Sequence, residues 1–347
     1  MKPRSSEYTA HQIECKKKFS ALTESEQLMV ELLAFYYTRT SAADLARMLR
    51  QLFANTGNNY TFTTQVVMNI FGGLAQKGFV IIDGEAISCH DEYLEVACRN
   101  AVLRKHVMPI LNAIKGVLKA SYFAPGQPVS MQYYSEMRRL RLDLFSGSIF
   151  MLPEHVSGRA VDPDDALLGM PLFCAAMFPF EADWFECLPV ICQTSIFRTA
   201  MQFTRVYFCN FPELVEYFSD RRWLKSDAFW RFGALPMAEY QLLKGDFELA
   251  LLYAEMSQEP EAGAIVATVE LLQGNKAGAL DLFARAIRAN RKSHGRNGGC
   301  FDHLGDFFYL VALLAENTPA STKKAEDLVV IANRSNSFLL GLNQLMT

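Results

Sequence analysis

The chain has 347 residues, half of them apolar and only 20% charged. That is more than one hydrophobic core usually organises, and it leaves little composition for long disorder. A formal net charge of -3 sets up no global field toward nucleic acid or anionic lipid, so any such contact must be local. The longest apolar stretches, such as residues 169–180, are broken by Pro171 and Pro179 and fall short of the roughly 20 residues that span a bilayer.

Residues 1–19 read as an N-terminal extension. Lys16, Lys17 and Lys18 have no apolar core after them, which does not resemble a secretory signal and makes a cytoplasmic protein the expectation. Thr23-Glu24-Ser25-Glu26 has capping-box spacing, so a helix should start there and run to about Tyr37. Ser41 with Asp44 repeats the signal, and Leu45, Met48, Leu49, Leu52 and Phe53 then follow at helical spacing. A third helix opens near Thr63 with Val67, Ile70, Phe71 and Leu74 on one face, and Gly78 as its stop. Phe79 to Ile82 and Glu85 to Cys89 are β-prone runs around Asp83-Gly84, which predicts a hairpin turning on those two residues. Three helices followed by a hairpin is the order of a winged helix, here residues 20–90.

Residues 91–235 read as a helical middle region. A continuous helix is expected from Asp91 to Lys119, and another from Met131 to Phe145 with Arg138, Arg139 and Arg141. The stretch from Ser146 to Gly233 is rich in aromatic residues and cut by prolines, which suggests short helices packed through rings. Residues 236–347 are clearer. Leu242-Leu243-Lys244-Gly245 recurs as Leu271-Leu272-Gln273-Gly274, and the echo continues for several residues, as helix pairs stacking on their own copies would require. Gly245 and Gly274 would form the turns within pairs, Ala250 and Ala279 would permit close approach, and Phe283 and Ala286 continue a tetratricopeptide pattern. A looser third unit has helices at 301–316 and 323–334. The fold class expected is therefore mainly α: a winged-helix-like N-terminal domain, helical segments and a TPR-like α-solenoid.

Signatures of catalysis are missing from the sequence. There is no G-x-x-x-x-G-K-[ST], H-E-x-x-H, paired C-x-x-C or G-x-S-x-G. His294, Cys300 and His303 form one soft-ligand group and Cys89-His90 another, but neither supplies the two close pairs of a usual zinc site. Neither metal nor cofactor is expected. Cys187 and Cys192 read as packing residues within an apolar run. Asp162, Asp164 and Asp165 read as turn and helix-start residues.

Two surfaces could contact a partner. The polar face of the third helix carries Thr64, Gln65, Asn69, Gln76 and Lys77. With one cation, it is electrostatically thin for DNA. Arg285, Arg288, Arg291, Lys292 and Arg296 cluster at the end of the second repeat. There they could complement a helix C-terminus or hold a phosphate or an acidic partner.

Several ordered segments resemble the N-terminal region of large bacterial Swi/Snf-type helicases, the DNA-translocating ATPases. They are residues 89–102 (Cys89-His90-Asp91-Glu92-Tyr93 through Val102), residues 137–144 (Met137-Arg138-Arg139-Leu140-Arg141 through Leu144), and the Leu-Leu-x-Gly repeats ending in Arg291-Lys292-Ser293-His294-Gly295-Arg296. The resemblance implies a non-catalytic accessory region whose motor lies beyond Thr347. It would bind a protein partner or that motor, and DNA is an open second partner. The loop at residues 295–299 is less basic than is usual in that family. The competing expectation is a self-contained winged-helix and repeat regulator or adaptor. Neither reading calls for a small-molecule substrate or a membrane.

Overall fold

A computed structural model describes residues 6–54, 61–117, 138, 141–146, 175, 179–207, 211–220, 223, 226–294 and 304–334. These residues are mainly helical, with one small sheet. None of their helices is long and apolar enough to cross a membrane. They form two compact units dividing between Ile196 and Phe197, so the stretch 91–235 is shared between the two.

The first unit begins with α1 (Ser6–Ser20), α2 (Glu24–Tyr36), β1 (Thr40–Ser41), α3 (Ala42–Phe53), α4 (Thr64–Gln76), β2 (Val80–Asp83) and β3 (Ala86–Cys89). Helix α2 starts on a complete capping box: Thr23 Oγ1 accepts from the Glu26 amide at 3.3 Å, and Glu26 Oε2 accepts from the Thr23 amide at 3.0 Å. Ser41 and Thr63 cap α3 and α4 by accepting from the amides of Asp44 and Val66. Residues Met29 to Tyr36 of α2 are all buried, which makes α2 the central helix of this unit. The sheet is antiparallel in the order β1-β3-β2, with Ile87 of β3 facing Thr40 on one side and Ile82 on the other.

The hairpin differs from its expected form. Asp83 pairs with Ala86, so the two loop residues are Gly84 and Glu85 rather than Asp83 and Gly84. Only the first of these has positive φ, +61° at Gly84, the pattern that a II′ turn asks for. Asp83 is held in the strand end by Arg39 Nη1, 2.7 Å from its carboxylate.

The expected helix from Asp91 to Lys119 is broken into a 3-10 turn (Asp91–Tyr93), α5 (Leu94–Leu103) and α6 (Val107–Val117). The cause is Pro109. In a continuous helix its ring would collide with the carbonyl of Lys105 and its nitrogen could not donate there. Lys105 instead turns left-handed at φ 59°, and the His106 amide closes α5 on Ala101 O at 2.8 Å. Arg138 and residues 141–146 are helical; the remainder of the expected 131–145 helix, including Arg139, lies outside the described residues, as do Asp162, Asp164 and Asp165. α7 (Ala182–Phe185) completes this unit. Its Trp184 lies 6.0 Å from Phe145 and beneath the Arg99 guanidinium, 4.3 Å from the ring centroid.

α8 (Val190–Tyr207) contains the boundary and runs for 18 residues, longer than the short helices expected there, because no proline interrupts the chain between Pro189 and Pro212. α9 (Pro212–Phe218) and α10 (Asp227–Phe232) follow. Here packing is through rings: Phe218 lies 4.4 Å from Phe197, 4.6 Å from Trp223 and stacks on Phe229 at 6.0 Å.

Three helix hairpins complete the second unit: α11 (Ala234–Lys244) with α12 (Phe247–Met256), α13 (Ala262–Leu272) with α14 (Lys276–His294), and α15 (Leu304–Glu316) with α16 (Pro319–Arg334). Each packs within itself and on the next, α12 on α13 and α14 on α15. The last helix starts at Pro319, earlier than the expected Lys323. Thr318 caps it through the Ser321 amide at 3.1 Å, and Pro319, with its φ already helical, suits the first position. Gly245 and Gly274 both sit between paired helices at positive φ, +80° and +92°.

Candidate functional site

The repeat-packing residues converge on one core. Ala279, Phe283, Ala286 and Ile287 of α14 meet Ala264 and Ala267 of α13 and Ala312 of α15, with Tyr309 against Phe283 at 5.1 Å. Ala250 is fully buried as well. Methyl-sized side chains let the helix axes come close, and a single ring fills the space they leave. This packing fixes which face of α14 looks outward.

That outward face is basic. Arg285, Arg288, Arg291 and Lys292 are all exposed. Arg285 is ion-paired with Asp281 one turn earlier, and this pairing holds the Asp281 carboxyl below its ordinary range. Among the described residues Arg288 bonds within its own helix, its Nε donating to Ala284 O at 3.1 Å. Arg291 is near enough to Tyr309 for its charge to oppose the upward push of burial on that phenol. Among the described residues Arg288, Arg291 and Lys292 have no ion pair. Arg296 lies outside them, as do Cys300 and His303 of the expected soft-ligand group.

The polar face of α4 has a different character. Thr64, Gln65, Asn69 and Gln76 are exposed, and Gln65 Nε2 donates to Asn69 Oδ1 at 3.1 Å. Its cation, Lys77, is held 2.6 Å from Glu26 Oε1, and this contact above all lowers the Glu26 pKa. Arg47 on α3 is likewise paired with Asp44. Cations already matched by carboxylates supply little to a phosphate backbone.

None of the described cysteines, Cys15, Cys89, Cys98, Cys187 and Cys192, is in a disulfide. Cys192 is buried, whereas Cys187 is exposed and corrects the expectation that both pack. Cys89 and Cys98 have thiols raised by burial, Cys98 to about 12, so neither is a ready nucleophile. The Nδ1 of His90 lies 3.9 Å from Glu92 Oε2, beside a separate group in which His11, Cys15 and Glu92 bring one ligand atom each to within 4.8 Å of one another. Sequence reasoning missed this group because α1 and the turn after β3 are about 80 residues apart in the chain. The His11-x-x-x-Cys15 spacing on one helix face was its visible half.

Comparison with protein-family models, curated proteins and solved structures finds no match to this chain.

Proposed function

We propose that this chain is a non-catalytic recognition module. In this reading the α2-to-β3 segment is a winged-helix-like domain, and the three hairpins are a tetratricopeptide-like array binding an acidic protein surface through α14. The Swi/Snf resemblance adds that the module serves such an ATPase, with the acidic surface on a partner or on the motor itself. The observation that carries the reading is the row Arg288, Arg291 and Lys292, exposed and without ion pairs among the described residues on a helix whose opposite side is locked into the array core. A rigid support that holds cations clear of local carboxylates favours a partner of opposite charge.

The test is fluorescence anisotropy at low salt with a labelled poly-glutamate peptide, comparing the chain with its R288E/R291E/K292E variant. Binding that weakens at least tenfold in the variant, with unchanged melting, is expected; equal binding by both proteins overturns the assignment. A second reading, duplex DNA on α4, is favoured by the helix-strand-helix-helix-strand-strand order of residues 24–89. It requires a gel shift that Gln65→Ala with Asn69→Ala abolishes.

A further inference from the structure

We propose that His11, Cys15, Glu92 and His90 form a binding site for a zinc-type divalent cation that clamps α1 onto the turn after β3. His11 Nε2 lies 2.9 Å from Glu92 Oε1 and 3.7 Å from Cys15 Sγ. All three ligand atoms fall within 4.8 Å of one another. Zinc bonds of about 2.0 to 2.3 Å in a tetrahedron place neighbouring ligand atoms roughly 3.3 to 3.8 Å apart. The sulfur separation already matches, and the imidazole and carboxylate need to part by about half an ångström to admit an ion between them.

The fourth ligand in this proposal is His90, which lies outside the mutually close trio and adjoins it through Glu92. Its Nδ1 lies 3.9 Å from the other carboxylate oxygen, Glu92 Oε2. That nitrogen is buried and has no hydrogen-bond partner among the described residues. A buried imidazole nitrogen left without a bond is costly, and coordination would supply one. The four ligands combine sulfur, imidazole and carboxylate, a set suited to zinc rather than to calcium or magnesium.

The surroundings also fit. Cys15 is buried while His11 and Glu92 are about half exposed, at 47% and 44%, so an ion could enter from solvent on one side. Tyr93 hydrogen-bonds to the Cys15 sulfur in the sense that favours the thiolate, as groups around a coordinated sulfur commonly do. Binding expels the Cys15 thiol proton to solvent as the sulfur–metal bond forms.

The experiment titrates the full chain with Co2+, whose bond to a thiolate gives a near-ultraviolet charge-transfer band, and with Zn2+ followed by thermal melting. The comparison protein is the double variant His11→Ala with Glu92→Gln, both at exposed positions. One equivalent of Co2+ per chain with the band present, and a Zn2+-dependent rise in Tm, are expected for the wild type; the variant should lose both while melting normally without metal. The proposal is overturned if the wild type shows no band, or if band and Tm shift survive in the variant, which would assign them to another cysteine such as the exposed Cys187.

Discussion

The first unit and the alanine-rich core of the repeat array are held by different chemistry. In the first, buried charges tie distant segments. Arg141 Nη2 donates to Glu95 Oε1 at 2.6 Å, and Arg99 donates to Pro179 O and Ala175 O at 2.6 and 2.9 Å. Asn100 donates to Glu31 Oε1 at 2.6 Å, and His106 Nδ1 lies 2.8 Å from Glu31 Oε2. In the array, alanines and a few rings interlock between neighbouring helices. A buried ion pair is costly to break one-sidedly yet adds little over an apolar substitute. A small-residue interface is sensitive to volume instead. The first unit should therefore respond to charge and pH, and the array to size.

The largest contrast is between Arg141→Met and Phe283→Ala. Removing Arg141, which is 1% exposed, strands the Glu95 charge and should cost about 3–5 kcal/mol in denaturant unfolding. Adding Glu95→Gln should recover most of that loss. Phe283→Ala, at 0% exposure, should cost a similar ~3–5 kcal/mol through the cavity it leaves, and no single charge-neutralising partner should rescue it. Rescue in both cases, or in neither, would erase the distinction.

Glycine substitutions give a smaller contrast of opposite signs. Gly245 is at φ +80° with open space around a would-be Cβ, so Gly245→Ala should destabilise by about 1–2 kcal/mol from backbone strain alone. Gly73 sits within α4, also with open space around it. Gly73→Ala should stabilise by about 0.5–1 kcal/mol through helix propensity.

The smallest effect is a pH slope. Burial raises the Glu31 pKa above its ordinary 4.5, overriding the lowering by His106 and Asn100. The folded state then holds the proton more tightly than the unfolded one. Glu31's contribution to stability is full below pH 4.5 and is lost as pH rises toward the folded-state pKa. Glu31→Gln should flatten that part of the stability profile, as measured by melting between pH 4 and 7; an unchanged profile would show that Glu31 is not the group responsible.

Much of the architecture was legible. Thr23, Ser41 and Thr63 announce helix starts because a cap depends on residues three positions away, and Gly245 and Gly274 mark their turns because left-handed backbone suits glycine. The break at Lys105 could have been inferred from Pro109, whose clash with the residue four earlier is local. The candidate sites were only half legible. Composition shows a cation at Lys77 and cations on α14, but not that Lys77 is matched by Glu26, 51 residues away, while Arg288, Arg291 and Lys292 stand clear.

Sequence by itself determined the helical character, the capped starts and the 29-residue echo between Leu242 and Leu271, because all of these arise from neighbours within a few residues or from repetition of one pattern. Only the tertiary structure decided which charges are paired, that α1 lies beside the turn after β3, and that His11, Cys15 and Glu92 meet. Those outcomes depend on how apolar faces pack across separations such as the 81 residues between His11 and Glu92, and no local periodicity encodes the result.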